Sequence, residues 1–386
     1  MLTSISIANY RSILDLTLAL GRLNVITGAN GSGKSNLYKA LRLLASTAHG
    51  GVVGSLASEG GLASTFWAGP KEISASMLRG EFGIDPSHPN YIKRLKLGFA
   101  TDDLGYAVSL GLPEPTISAF CLDPEIKHEC IFTGARYHPN SSLVERQGNM
   151  IRNRDGRRWE VLSSHIANYD SMFDQVGESA QAPEVLQMRE MIRGWRFYDH
   201  FRTDRDAPAR QSQLGTRTTM LHHDGRDLAA ALQTIIEIGD REALEAAIED
   251  AFPGCRLTIN CEGNGYFSLA FYQHGLLRPL SGSELSDGTL RFILWVAALL
   301  TPRPPTLMVL NEPETSLHPD LLPALGRLIH HAASHGQVWV ISHAEVLIKQ
   351  LATLPECQLI EIEKVLGETT VPGRDILDIP TWRWPK

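Results

Sequence analysis

The chain has 386 residues, of which 43% are hydrophobic, 20% charged and 7% aromatic. Such a composition buries a large core and excludes disorder as the dominant state, and the length allows one large bilobed unit or two to three small domains. The 36 Lys+Arg against 43 Asp+Glu leave a net charge of -7, so no overall basic field draws the protein onto nucleic acid. The basic residues are unevenly chosen. Arg outnumbers Lys 27 to 9, and residues 136–226 hold 14 Arg, no Lys and 12 acidic residues. A genome rich in G and C is the bland source of that bias.

The longest uninterrupted apolar run, Phe292–Leu300, has nine residues, against the ~20 that a membrane-spanning helix needs. Met1-Leu-Thr-Ser-Ile lacks the charged start and apolar stretch of a secretion signal. The expectation is a cytoplasmic protein with no membrane partner. Five cysteines form no Cys-x-x-Cys pair, and the pairs His222-His223 and His330-His331 lack ligand spacing. Neither a zinc site nor a disulfide framework is expected.

Taken in chain order, Ser4–Ile7 and Leu14–Leu18 alternate with period two and predict antiparallel strands. Leu23–Thr27 is a short apolar strand that enters a Gly-rich turn, and Leu37–Ala45 has helical spacing. Residues 50–69, rich in Gly, Ser and Ala, read as a loop. Residues 93–165 hold alternating segments, among them Ile117–Leu122 and Ile126–Phe132, that predict an antiparallel sheet. Pro183–His200 and Asp227–Ile238 read as helices. The last third alternates: helix Ser286–Leu300, strand Thr306–Leu310, helix Pro319–Ala333, strand Gln337–Ile341, helix Ala344–Leu354. Strands alternating with helices imply a parallel sheet covered on both faces. No heptad or 20–50-residue repeat runs through the middle, which argues against a long coiled-coil arm.

Four elements carry chemistry. Gly28-Ala-Asn30-Gly31-Ser32-Gly33-Lys34-Ser35 matches G-x-x-x-x-G-K-[ST] after a predicted strand and before a predicted helix. Glycines let backbone N–H groups curl around phosphate oxygens, and the helix N-terminus favours negative charge. Lys34 is expected on the β- and γ-phosphates and the Ser35 hydroxyl on Mg²⁺. The strand Thr306–Leu310 runs into Asn311-Glu312-Pro313, an edge suited to holding Mg²⁺ and activating water. Glu312 is the candidate base. Asn311 stands where such strands carry Asp, so it brings no charge and reaches a metal only through water. Leu285-Ser286-Asp287-Gly288-Thr289 opens a helix about 25 residues earlier, with Ser286 at the N-cap and free N–H groups around Gly288. A plain cap is its structural alternative. Finally Ser342-His343 ends a strand 31 residues after Glu312, where a His can hydrogen-bond a γ-phosphate or the attacking water.

In this order and spacing the elements resemble the head of an ABC-type ATPase. Ile7-Ala-Asn-Tyr-Arg11-Ser through Gly31-Ser-Gly-Lys-Ser-Asn36 is similar to the RecF/SMC branch, and Leu285–Thr289 to its signature motif. Asn311-Glu-Pro-Glu-Thr-Ser-Leu-His-Pro319 resembles the Walker B strand and D-loop, and His343 the switch histidine. The resemblance is strong over residues 1–45 and 280–350. It implies a P-loop α/β fold: a mixed central sheet flanked by helices, an antiparallel β subdomain and a helical insertion. It also implies one bilobed head over residues 1–386. An N-terminal lobe would span 1–135, an inserted, largely helical segment 136–250, and the lobe with signature, Walker B and switch His 251–386. ATP would be sandwiched in an ATP-dependent homodimer, with Ser286 and Gly288 acting in trans and Asn36 and Arg11 beside the nucleotide. For Arg11 an exposed strand-end arginine is the equal alternative. No Gln lies between Asn36 and Arg146, so the glutamine loop has no counterpart there. Only 43 residues follow His343, so any nuclease is expected in a separate protein.

Two functions remain at this stage. One is an ATPase that clamps double-stranded DNA in recombination or double-strand break repair. Arg154, Arg157 and Arg158 lead its candidate surface, followed by Arg152, Arg193, Arg196, Arg202, Arg205 and Arg210, with Trp195, Phe197, Tyr198 and Phe201 interleaved. A packed helix over Arg193–Phe201, with Asp199, Asp204 and Asp206 as salt-bridge partners, is the competing account of that stretch. The other function is a nucleotide-gated regulatory ATPase of a defence system that controls a separate effector protein. A transporter subunit fits neither the N-terminus nor the missing glutamine loop.

Overall fold

A computed structural model describes residues 1–69, 94–114, 117–156, 158–176, 181–373 and 380–385. The first half of the chain forms β1 (Leu2–Tyr10), β2 (Ile13–Ala19), β3 (Leu23–Thr27), α1 (Lys34–Ser46), α2 (Val52–Ser58) and α3 (Leu62–Thr65). There follow β4 (Leu95–Thr101), β5 (Leu104–Gly111), β6 (Glu125–Thr133), β7 (Ser142–Gln147), β8 (Met150–Asp155), β9 (Arg158–Ser163), α4 (Met172–Gln175) and α5 (Pro183–Arg193). Next come β10 (Arg196–Tyr198), β11 (Gln213–Leu214), α6 (Leu228–Ile238), α7 (Arg241–Ala251), β12 (Arg256–Cys261), β13 (Tyr266–Tyr272), β14 (Leu280–Ser281) and α8 (Asp287–Leu299). The chain closes through β15 (Leu307–Asn311), α9 (Leu322–His335), β16 (Gln337–Ile341), α10 (Glu345–Ala352), β17 (Cys357–Glu361), β18 (Glu363–Val365) and β19 (Glu368–Thr370).

These elements fall into two compact units. The first comprises Met1–Gly21, Gly28–Trp195 and Ile360–Lys386; the second comprises Arg22–Thr27 and Arg196–Leu359. The segment 136–250 contributes to both.

The first unit is built on an eight-stranded antiparallel sheet in the order β2-β1-β4-β5-β6-β7-β8-β9. Apart from the β1–β4 pairing, neighbouring strands are consecutive in the chain and antiparallel, which is why alternation was readable along them. Inside it Arg146 and Glu129 form a fully buried ion pair at 3.4 Å. A buried pair is costly unless every lone pair is answered. Here Glu129 also accepts from the Tyr106 hydroxyl, the Ser171 hydroxyl and the Met172 N–H, and Arg146 donates to the Ala167 carbonyl.

The second unit holds a parallel sheet in the order β10-β15-β16-β3, with β17 on its far edge. Leu307–Leu310 and Val338–Ile341 are buried without alternation, as strands covered on both faces must be. Helix α8 packs in the same core, and each of its residues from Leu290 to Leu299 is buried. At about 1.5–3 kcal/mol for each large aliphatic or aromatic side chain, that helix is a main contributor to the unit. Ser286 starts it by accepting the Thr289 N–H, a cap of the order of 1 kcal/mol.

Several local expectations fail for physical reasons. Residues 50–69 contain α2 and α3, because Val52 and Leu56 lie one turn apart and both bury. Ile117–Leu122 is bend and turn rather than strand, with Ile117, Phe120 and Leu122 exposed; Pro113 and Pro124 bracket it and supply no ladder N–H. The helix expected over Pro183–His200 ends at Arg193. Beyond Gly194 the run Trp-Arg-Phe-Tyr becomes β10, the aromatic residues favouring a strand beside β15. Between 142 and 163 the three strands β7 to β9 continue the antiparallel sheet expected over residues 93–165, although they lie within the segment 136–250 that the resemblance implied to be largely helical.

Candidate functional site

In the first unit the glycine loop carries positive φ at Gly28 (150°), Gly31 (80°) and Gly33 (113°), a backbone that only glycine adopts without strain. A Cβ at Gly33 would lie 2.0 Å from the Thr369 hydroxyl oxygen, while one at Gly31 would meet nothing within 4 Å. The loop is therefore tight on its inner side and open at Gly31. Thr369 is its scaffold. Its hydroxyl donates to the Ser32 carbonyl at 2.9 Å and lies 2.6 Å from the Ser12 hydroxyl, to which the Asn36 amide also donates. Asn36 thus braces the loop.

Lys34 folds back and donates to the Gly28 and Ala29 carbonyls at 2.6 and 3.0 Å, and the buried Ser32 hydroxyl has no partner. Ser35, like Asn30, is exposed, and α1 begins on Gly33 without a side-chain cap. A glycine cradle, an ammonium held by its own loop and a hydroxyl at a helix start fit a Mg²⁺-bound nucleoside triphosphate.

Arg11, expected beside the nucleotide, is paired with a carboxylate of its own unit. Its guanidinium pairs with Glu59 at 2.6 Å, and the Tyr10 hydroxyl donates to the same oxygen. Burial works against its charge, but the hydrogen bonds to Glu59 and Tyr10 prevail and its pKa is raised.

In the second unit the parallel strands deliver residues to one edge. Asn311 pairs with Ile341, Leu310 with Tyr198, and Ile341 with Ile26. The carboxyl ends of β10, β15, β16 and β3 therefore emerge together, and Gly28 is the second residue after Ile26 in the chain. Crevices at such ends are where open α/β sheets bind ligands. Glu312 leaves β15 in a left-handed conformation, φ 51°, with its N–H bonded to the Ile341 carbonyl. For a non-glycine residue that is a strained backbone, of the order of 1–3 kcal/mol. Its side chain is half-exposed, and its carboxylate lies 3.9 Å from His343 Nδ1.

The residue that orders this edge was not singled out from the sequence. Glu314 is buried, and its Oε1 accepts from the Ser342 hydroxyl at 2.7 Å, the His343 N–H at 2.9 Å and the Ala344 N–H at 3.2 Å. The same oxygen stands 3.3 Å from His343 Nδ1, and Oε2 is buried with no hydrogen-bond partner. Glu314 fixes the backbone from which His343 projects. Only its place two residues after Glu312 hinted at a role.

The helix start at Ser286 is anchored by Arg210. That guanidinium donates to the Gly282 and Leu285 carbonyls and to the Asp287 carboxylate, and to the Thr203 carbonyl behind it. One turn on, Arg291 donates to the Thr315 and Phe201 carbonyls, coupling α8 to the segment after Glu312. Ser286 itself is exposed and Gly288 half-exposed.

The arginines expected to reach DNA divide. Arg154 donates to the Pro139, Asn140 and Gly156 carbonyls, Arg158 is exposed, and Arg157 lies outside the described residues. Arg152 pairs with Glu145 and lies over Trp159. Trp195, Tyr198 and Phe201 are core residues, unsuited to stacking on bases. His222, His223 and Asp224 do approach one another, their ligand atoms within 4.8 Å, although their sequence spacing had spoken against it. Asp224 is engaged in the turn, accepting from His222 Nδ1 and the Arg226 N–H.

A glycine loop continuing one parallel strand, with an acid and a histidine ending two others, defines a P-loop NTPase of the ABC type. Comparison with known proteins agrees. A family model described as "AAA domain, putative AbiEii toxin, Type IV TA system" matches residues 138–349, and one described as "AAA ATPase domain" matches residues 1–87. The first spans more than half of the chain, which therefore belongs to that AAA-domain family. No curated protein matches.

Among solved structures, the chain is similar to an Smc head bound to the C-winged helix domain of ScpA, at 12% identity over 96% of both chains and a TM-score of 0.50. It is also similar to the SMC head domain from Thermotoga maritima, at 13% identity over 97% of this chain and 99% of that one, with a TM-score of 0.47. The fold is that of an SMC-type ATPase head. No helix among the described residues is long and apolar enough to cross a membrane.

Proposed function

We propose that the chain binds ATP with Mg²⁺, dimerises on it and hydrolyses it. The observation that carries this reading is the shared edge of the parallel sheet. There Glu312 and a histidine fixed by Glu314 stand at the ends of β15 and β16, and the glycine loop continues β3. Lys34 and the loop N–H groups bind the β- and γ-phosphates. Ser35 would hold Mg²⁺, which when bound neutralises phosphate charge during transfer. Glu312 orients the attacking water and accepts its proton, and His343 hydrogen-bonds the γ-phosphate or that water. Ser286 and Gly288 present a second anion-binding helix start to the nucleotide of the other copy, which makes hydrolysis conditional on dimerisation.

Glu312→Gln tests the reading. The variant should keep ATP binding, lose turnover by about 100-fold or more, and persist as an ATP-bound dimer in size-exclusion chromatography with light scattering. A variant with full turnover removes Glu312 from the mechanism.

What the ATP cycle drives is a separate matter. Binding to double-stranded DNA in repair would show as salt-dependent association that strengthens with ATP and weakens when Arg154, Arg157 and Arg158 are neutralised. The second reading, a nucleotide-gated ATPase of a defence system acting on a separate effector, is favoured by two observations. The family description names a toxin–antitoxin system, and Arg154, Arg193 and Arg210 are spent on backbone carbonyls. Absence of DNA binding at low salt with ATP present decides for it.

A further inference from the structure

Asn311 closes β15 where a metal-binding edge calls for negative charge. The structure puts a carboxylate beside it from another part of the chain. β10 runs parallel to β15 and pairs Tyr198 with Leu310, so the next residue, Asp199, comes level with Asn311. The Asn311 amide donates to Asp199 Oδ1 at 3.2 Å across 112 residues of sequence, and both side chains are partly exposed.

We propose that Asp199 is the metal-side carboxylate of this ATPase: the charge absent from the end of β15 is supplied by the neighbouring strand, and Asn311 holds it in place. Mg²⁺ takes oxygen ligands and keeps several waters, which carboxylates then anchor. An amide anchors such a water weakly, whereas an amide that orients a carboxylate places a full charge at the same edge. The pairing also accounts for the residue types. Two acids about 3 Å apart would force one of them to stay protonated, so an edge with Asp at 199 is best partnered by an amide at 311. Asp199 directly follows β10 at the same sheet edge as Asn311 and Glu312, the row from which parallel sheets present functional groups.

This inference rests on the ATP·Mg²⁺ reading of the site, and its test separates the two. Binding of a fluorescent ATP analogue is titrated against Mg²⁺, and in parallel against Mn²⁺ followed by its paramagnetic resonance signal. The proteins are the wild type, Asp199→Asn, and the exchange variant carrying Asp199→Asn with Asn311→Asp. The expected result is that Asp199→Asn needs about tenfold more metal for half-maximal binding while its metal-free affinity for the analogue is unchanged. The exchange variant, which moves the charge back to β15, recovers most of that loss. An unchanged metal requirement in Asp199→Asn overturns the inference, as does an exchange variant no better than the single one. A wild type that binds no analogue overturns the ATP reading itself.

Discussion

The glycine loop and the acidic strand edge hold their functional groups by opposite means. Around Lys34 the work is done by backbone: three glycines with positive φ, a helix start without a side-chain cap, and Thr369 pressed against Gly33. Around Glu312 and His343 it is done by side chains that tie distant strands together: Glu314 to residues 342–344, Arg291 to Thr315, Arg210 to Leu285 and Asp287. A backbone device fails when atoms are added. A side-chain device fails when a donor or an acceptor is taken away. Binding should therefore be most vulnerable to steric change in the first region, and turnover or dimerisation to polar deletion in the second.

The largest effect is expected at Gly33. In Gly33→Ala the new methyl group meets Thr369 and the residue keeps a φ of 113°, a strain of the order of 3 kcal/mol. The loop must open, and ATP affinity should fall by about 100-fold, as measured by titration calorimetry. Pairing it with Thr369→Ser, which removes the methyl but keeps the hydroxyl, should recover little, because the hydroxyl oxygen is the nearest atom. Retained affinity in Gly33→Ala would mean that the loop is not held by its backbone.

Glu314→Ala comes next. It leaves the Ser342 hydroxyl and two N–H groups without their acceptor, and each hydrogen bond to a charged group contributes about 1.5–3 kcal/mol. Turnover should drop about tenfold with ATP affinity unchanged. Amide exchange should quicken at His343 and Ala344 but not at Ser342, whose N–H bonds the Ile26 carbonyl, a signature that a general loss of stability does not give. Arg210→Met should be milder still. It frees the helix start at Ser286 from Gly282, Leu285 and Asp287, so ATP-dependent dimerisation should weaken severalfold while the monomer binds ATP as before. Equal dimerisation in the variant would show that the helix start needs no such anchor.

The same contrast explains what could be read in advance. The loop was legible because its chemistry is contiguous: a strand, eight residues of fixed spacing and a helix. The apolar strands and helices of the last third were legible too, since burial on both faces leaves long hydrophobic runs. Glu314 was missed because its role depends on β15 and β16 lying in register, which brings residues 28 to 30 positions apart together. Asp199 entered the sequence reading only as a salt-bridge partner in the competing account of a packed helix. The turn to β10 at Gly194 and the pairing with β15 are tertiary choices that aromatic residues permit but do not announce. Arg11 was placed by motif, and its partner Glu59 caps the C-terminus of α2, in a stretch that composition had suggested was a loop.

The smallest effect belongs to the antiparallel sheet of the first unit, which takes no direct part in the proposed chemistry. Its buried His128 is held below the ordinary histidine range, by burial first and by Arg152, Arg94 and Arg146 nearby, with Glu145 pulling the other way. A depressed folded pKa means that the folded chain binds fewer protons than the unfolded chain at acid pH. The stability this represents is intact above the unfolded value of about 6.5 and is lost as pH falls from there through the folded pKa. The melting temperature should therefore decline on acidification below about pH 6.5, and His128→Gln should make that decline shallower. Some slope should persist in the variant, because His200 is depressed by burial and by Arg291 in the second unit. A slope identical to that of the wild type would place the acid sensitivity wholly outside the sheet.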